Sequence, residues 1–247
     1  MSVSRREAYL AALGIDDWRQ RRPLAAGEGA TLPAATPPVP ASFASTLPAS
    51  MPAPVAAGCG AQGWDSVAGE VAACLKCPLH QTRTNTVFGV GNREAQWLVV
   101  GEAHGAEEDR QGEPFVGRAG GLLNSMLRGI GLAREQVFIA NVLKCRPPNN
   151  RDPKPEEVAQ CLPYLERQIE LLRPKIMLAV GRIAAQNLLA TDTPIGKLRG
   201  HVHRFGAAGI PLVVTYHPAY LLRSPTEKRK AWEDLKFARR VAAGASA

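Results

Sequence analysis

Cys74 and Cys77 form a C-x2-C pair, and Cys145 and Cys161 come much later in the chain with fifteen residues between them. On charge and softness, four thiolates suit zinc and an iron–sulfur cluster equally well. A zinc ribbon favours a second close pair. Here the last two cysteines are spread across a proline-rich stretch, Arg146-Pro147-Pro148 to Pro153, long enough to wrap around a bulky group, which favours a [4Fe–4S] cluster. Cys59 has no evident partner. A second set of residues, Glu102, Asn141 and His217, combines an anion, a carboxamide that can read a hydrogen-bonding pattern, and an imidazole that can donate to a developing negative charge.

These residues stand just after short apolar runs. Residues 97–100, 137–140, 176–180 and 211–215 are nearly continuous in apolar character, as strands buried on both faces are. Helical periodicity falls near 119–130, 155–172, 182–190 and 227–241. Alternation of this kind predicts a parallel sheet with helices on both faces, and in such sheets the site lies beyond the carboxyl ends of the strands. Pro163 predicts that 155–172 divides into two helices, the second opening at the proline. Residues 5–22 predict a short amphipathic helix with Tyr9, Leu10, Leu13 and Trp18 among arginines. From Pro23 to Gly58 there are eight prolines and a single charged residue, Glu28, as in a flexible linker. The expected organisation is therefore an N-terminal helix over 1–22, a Pro/Ala-rich linker over 23–63, a catalytic or binding domain over 64–241 and a disordered tail over 242–247.

With 247 residues, 45% hydrophobic and 21% charged, the chain can bury a full core, which excludes a disulfide-stapled mini-protein and a wholly disordered chain. No apolar run approaches the ~18 residues of a membrane span. Ser4 to Leu10 resembles a twin-arginine signal only faintly, because Asp16-Asp17 ends the apolar stretch after it, so a cytoplasmic location is expected. Residues 197–247 carry ten basic and three acidic side chains, nearly all of the net charge of +8. A polyanion is the expected partner of this quarter.

From about residue 71 to 241 the chain resembles the family 4, iron–sulfur-containing uracil-DNA glycosylases. The resemblance rests on Cys74-x2-Cys77, Phe88-Gly89 with Gly91-Asn92, Gly101-Glu102-Ala103-His104-Gly105, Glu107-Glu108-Asp109, and Gly112 to Gly120 around Phe115. It continues through Asn141-x2-Lys144-Cys145-Arg146-Pro147-Pro148, Cys161, and His217-Pro218-Ala219-Tyr220-Leu221-Leu222-Arg223. It implies a three-layer α/β/α fold around a four-stranded parallel sheet, a [4Fe–4S] cluster on Cys74, Cys77, Cys145 and Cys161, and a monomer acting on uracil-containing DNA, single- or double-stranded.

By the same resemblance Phe115 stacks on a flipped uracil, Asn141 reads its Watson–Crick edge, and Glu108 and Ala103 complete the pocket, Glu108 lying where a thymine methyl would go. Glu102 stabilises the sugar cation or orients water, and His217 donates to uracil O2. Tyr220-Leu221-Leu222 enters the duplex, Leu221 being the expected wedge, and Arg223 holds a phosphate. His104 departs from the family's usual Gly-Glu-Ala-Pro-Gly turn. No inserted basic loop with a histidine nucleophile comes after Asn141, so turnover without a covalent adduct is expected. The rival reading is a non-catalytic iron–sulfur module that binds nucleic acid or associates with a polymerase.

Overall fold

The computed structural model describes residues 60–244. The expected N-terminal helix, the linker up to residue 59 with Cys59, and residues 245–247 lie outside the described residues.

Six strands form one sheet in the order β1-β3-β2-β4-β6-β5: β1 Val90–Gly91, β2 Trp97–Gly101, β3 Phe138–Asn141, β4 Ile176–Val180, β5 Val202–Phe205 and β6 Ile210–Thr215. The inner four are parallel, as expected. The sheet is wider than the expected four strands, because β1 and β5 pair antiparallel at its two rims. Both rims are only partly buried, so neither carries the continuous apolar run by which a central strand is recognised.

Alternation along the buried strands divides the core into two layers. Leu98, Val100, Ala140, Met177 and Val214 pack with α1 (Gly60–Ala72), α4 (Pro155–Leu172) and α5 (Arg182–Leu189). Trp97, Val99, Ile139, Leu178 and Val213 pack with α3 (Arg118–Gly129) and α8 (Lys228–Ala242). Two short helices, α2 (Ala106–Gln111) and α7 (Pro218–Arg223), come after β2 and β6, and α6 (Ile195–Leu198) precedes β5. Helix α1 begins before the expected boundary at 64 and docks through Trp64, whose ring lies 4.9 Å from that of Phe138.

Helix α4 is one helix, not two. Pro163 is exposed, and the carbonyl its ring deprives of a donor belongs to exposed Ala159, where water can replace the missing bond. The proline therefore interrupts one backbone bond on the solvent face while the buried face, with Cys161, Tyr164, Leu165 and Gln168, continues.

Helix α8 is fixed to the sheet by a buried carboxylate. Asp234 accepts from Arg199 Nε at 2.7 Å, Arg199 Nη2 at 2.9 Å and Thr215 Oγ1 at 2.8 Å. Burial pushes its pKa up, and the Arg199 and Thr215 bonds oppose that rise. Asp234→Ala leaves a largely buried guanidinium uncompensated and is expected to cost about 3–5 kcal/mol, read as a lower midpoint in chemical denaturation.

Candidate active site

The carboxyl ends of β2, β3 and β6 deliver Glu102, Asn141 and His217 to one cleft of about 410 Å3. The chain order of the parallel strands reverses between β2 and β4, so the cleft lies at the place a doubly wound sheet offers a ligand. Ala103, Glu108, Phe115 and Arg223 also line it, which brings together every expected base-binding and catalytic residue.

Asn141 ends β3 and is 1% exposed, and its Oδ1 is buried without a hydrogen-bond partner. Gly101 makes room for it, since a Cβ there would lie 2.3 Å from Asn141 Oδ1 and 2.7 Å from Phe115 Cζ. Phe115 stands over this floor with φ of 55°, and its ring centroid is 5.6 Å from that of His217.

His217 caps α7. Its Nδ1 accepts the Ala219 N–H at 3.1 Å, which leaves the proton of the neutral ring on Nε2 as a free donor. Burial, then the Arg223 charge, pushes its pKa down to about 4, so the ring is neutral at physiological pH. Gly181, with φ of 104°, permits the close packing, as a Cβ there would lie 3.1 Å from His217 Cβ. Glu102 goes the other way: burial and the Asp152 carboxylate push it up to about 7, with Arg182 opposing. Arg182 in turn holds Asp152 at 2.7 Å.

Glu108 is fully engaged by backbone. Its Oε2 accepts from Gly105 N–H at 3.1 Å, and its Oε1 from Val116 and Gly117 N–H at 3.2 and 3.4 Å. It thus ties the start of α2 to the Phe115 turn as well as lining the cleft. Next in the turn, His104 is 3% exposed with both ring nitrogens unpartnered and the Asp109 carboxylate 3.9 Å away. Burial pushes its pKa down to about 4. Asp109 accepts from Thr84 and Asn85 N–H, anchoring the segment before β1.

The expected wedge does not match the geometry. Leu221 is 1% exposed and belongs to the core beside α3 and α8, because α7 turns that position inward. Tyr220 and Arg223 face outward, Leu222 is half-buried, and Tyr220 packs on Tyr216 at 5.1 Å.

The four cysteines belong to one layer of the core, Cys145 and Cys161 buried within it and Cys74 and Cys77 partly buried against it. Two N–H groups point at their sulfurs: Arg83 Nη1 donates to Cys145 Sγ at 3.0 Å and Lys144 N to Cys161 Sγ at 3.1 Å. Burial raises the Cys145 thiol and pushes Cys161 up to about 11, so a metal would have to displace their protons. Among the described residues no group of three or more His, Cys, Asp or Glu side chains closes on a single metal ion. His80 Nδ1 lies 2.8 Å from the Cys77 carbonyl, and His203, in β5, 2.8 Å from that of Leu198.

Three features outside the expected site organise it. Lys144 is 1% exposed and donates from Nζ to the Asn141 carbonyl at 2.9 Å, Gln168 Oε1 at 2.6 Å and the Phe88 carbonyl at 3.3 Å. Its place three residues after Asn141 is a signal legible in the sequence. Arg134, which donates to the Pro114 and Phe115 carbonyls, and the Asp152–Arg182 pair carry none, since each joins segments distant in sequence.

Residues 88–236 match the family model described as the uracil DNA glycosylase superfamily, which defines the class of this fold and cleft. The chain is 49% identical over 178 residues to a type-4 uracil-DNA glycosylase of Archaeoglobus fulgidus, covering 70% of this chain and 89% of that protein. It is 44% identical over 176 residues to the type-4 enzyme of Thermotoga maritima, covering 70% and 91%. A type-5 uracil-DNA glycosylase of Pyrobaculum aerophilum is 29% identical over 194 residues, covering 65% and 84%. The chain belongs to the type-4 uracil-DNA glycosylase family.

Glu102 also bears on stability. Between about pH 4.5 and 7 the folded protein keeps a proton on Glu102 that the unfolded chain releases, so its contribution to stability falls as pH rises through that window. Glu102→Gln is expected to remove this fall and to raise the melting temperature at pH 8 relative to the parent, with little change at pH 4.

Proposed function

We propose that this cleft receives a uracil flipped out of DNA and hydrolyses its N-glycosidic bond, leaving an abasic site, and that its residues divide recognition and cleavage between them. The observation that carries the reading is the unpartnered, buried Oδ1 of Asn141 beneath the Phe115 ring, because buried polar atoms are nearly always paired. A pyrimidine that offers N3–H to this oxygen fills the missing bond, and its O4 can accept from the amide nitrogen. A buried amide left unpaired by a mismatched base penalises that base by up to ~10⁴-fold.

Bond cleavage builds positive charge on the sugar and negative charge on the departing base. The Glu102 carboxylate answers the first, by stabilising the sugar cation or orienting water, and the Nε2–H of neutral His217 answers the second at uracil O2. Glu108 and Ala103 shape the wall beside the base, with Glu108 held in place by its three backbone donors to exclude the thymine methyl. Tyr220 and Leu222 meet the duplex from the α7 loop, and Arg223 meets a phosphate. Leu221, buried in the core, supports that loop from below.

Cys74, Cys77, Cys145 and Cys161 would hold a [4Fe–4S] cluster. The Arg83 and Lys144 N–H groups aimed at two of the sulfurs suit ligands that carry negative charge. The cluster would supply a rigid tie between the segments that flank the cleft. No helix among the described residues is long and apolar enough to cross a membrane.

Asn141→Ala and His217→Ala are each expected to slow uracil release from an oligonucleotide at least ~10-fold, and His217→Ala by roughly 10²–10³. Binding to undamaged duplex should stay near that of the parent; equal loss of both would refute the assignment. The parent's rate should rise with pH through about 7, as Glu102 loses its proton, and that limb should vanish in Glu102→Gln. Anaerobically purified protein should absorb near 400 nm and contain about four irons per chain; one zinc and no iron would overturn the cluster.

A further inference from the structure

Phe115 holds a backbone conformation that a bulky residue leaves unless its surroundings impose it, and strain of this kind is kept where function needs it. Hydrogen bonds on both sides impose it, and a glycine permits it. Glu108 accepts the N–H groups of Val116 and Gly117 on the far side of the turn. Gly120 leaves space for the Phe115 carbonyl, which a Cβ there would meet at 1.7 Å. On the near side the Arg134 guanidinium donates from Nη2 to the Pro114 carbonyl at 2.6 Å and from Nη1 to the Phe115 carbonyl at 3.3 Å, with Asn124 Oδ1 also accepting at 3.2 Å.

Arg134 is well placed for such a clamp. It opens the 3-10 turn Arg134–Gln136 that leads directly into β3, at whose end Asn141 stands. One guanidinium therefore joins the segment under the base-reading amide to the turn under the phenyl ring. Its partners are backbone carbonyls and one amide oxygen, so no carboxylate within hydrogen-bond reach neutralises it, although Glu113 and Glu135 lie near enough to favour its charge against burial. A fork with several donors can hold two successive carbonyls at once, which an ammonium with a single nitrogen does less well.

We propose that Arg134 is a positioning residue for base recognition: it pins the Pro114–Phe115 peptide so that the phenyl ring stays over the cleft floor in a conformation the free turn would abandon. This rests on the reading of Phe115 as the surface on which uracil stacks.

The test compares the affinity for a duplex carrying a non-cleavable 2′-fluoroarabino-uridine with that for the same duplex carrying a tetrahydrofuran abasic analogue, whose backbone contacts remain but whose base is missing. Phe115→Ala and Arg134→Met are each expected to lower the uracil-to-abasic affinity ratio about tenfold, the scale of one lost base–aromatic stack. Abasic binding should change less than threefold, and the double variant should lose no more than Phe115→Ala alone. Arg134→Lys should fall between the parent and Arg134→Met. If Phe115→Ala lowers the ratio but Arg134→Met does not, or if the two losses multiply, the clamp is refuted while the stacking role of Phe115 stands. If Phe115→Ala leaves the ratio unchanged, the stacking role fails and the clamp with it. Should Arg134→Met not fold, Arg134→Lys decides: a parental ratio refutes the clamp and a reduced one supports it.

Discussion

A single buried ammonium holds the site together. Lys144 has left water, and an ammonium can do so only if its protons find acceptors. Its three acceptors come from three separate segments: the last residue of β3, helix α4 and the segment before β1. Its own N–H points at Cys161 Sγ, and its carbonyl receives Val87 N–H. The end of β3, and with it the carboxamide of Asn141, is thereby fixed to helix α4, which carries Cys161, and to the segment before β1. Burial pushes the Lys144 pKa down to about 8, with the nearby Cys161 opposing that fall.

Around that fixed point the cleft sorts its titratable groups by environment. The same withdrawal from water makes His217 a neutral donor and Glu102 a reluctant carboxylate, so a single physical effect sets both partners in opposite directions. Backbone groups do much of the remaining work. The donors that hold Glu108 are N–H groups of the α2 start and of the Phe115 turn, so a carboxylate at the cleft wall is oriented with no side-chain partner.

The parts of this arrangement that could be read from sequence are those with a local signature. Four strands stood out because burial on both faces demands an unbroken apolar run, and Glu102, Asn141 and His217 stood out with them because polar residues just after such runs converge. Pro163 misled because a proline's effect on a helix depends on which face it occupies, and exposure is a tertiary property. Leu221 misled for the same reason: in Tyr220-Leu221-Leu222 composition alone does not say which side chain turns inward. The two rim strands were too short or too exposed to show a pattern. Arg134, which meets Phe115 nineteen residues earlier in the chain, leaves no periodic trace.

Those rims also shape how the chain behaves before it is fully folded. Parallel sheets assemble slowly, because their neighbouring strands are far apart in the chain, and meanwhile open strand margins can recruit other molecules. Here one margin is two residues long and the other belongs to a tight hairpin turned through Gly206 and Gly209. Once both have folded back, little continuous ladder is left on which a foreign chain could crystallise into a fibre.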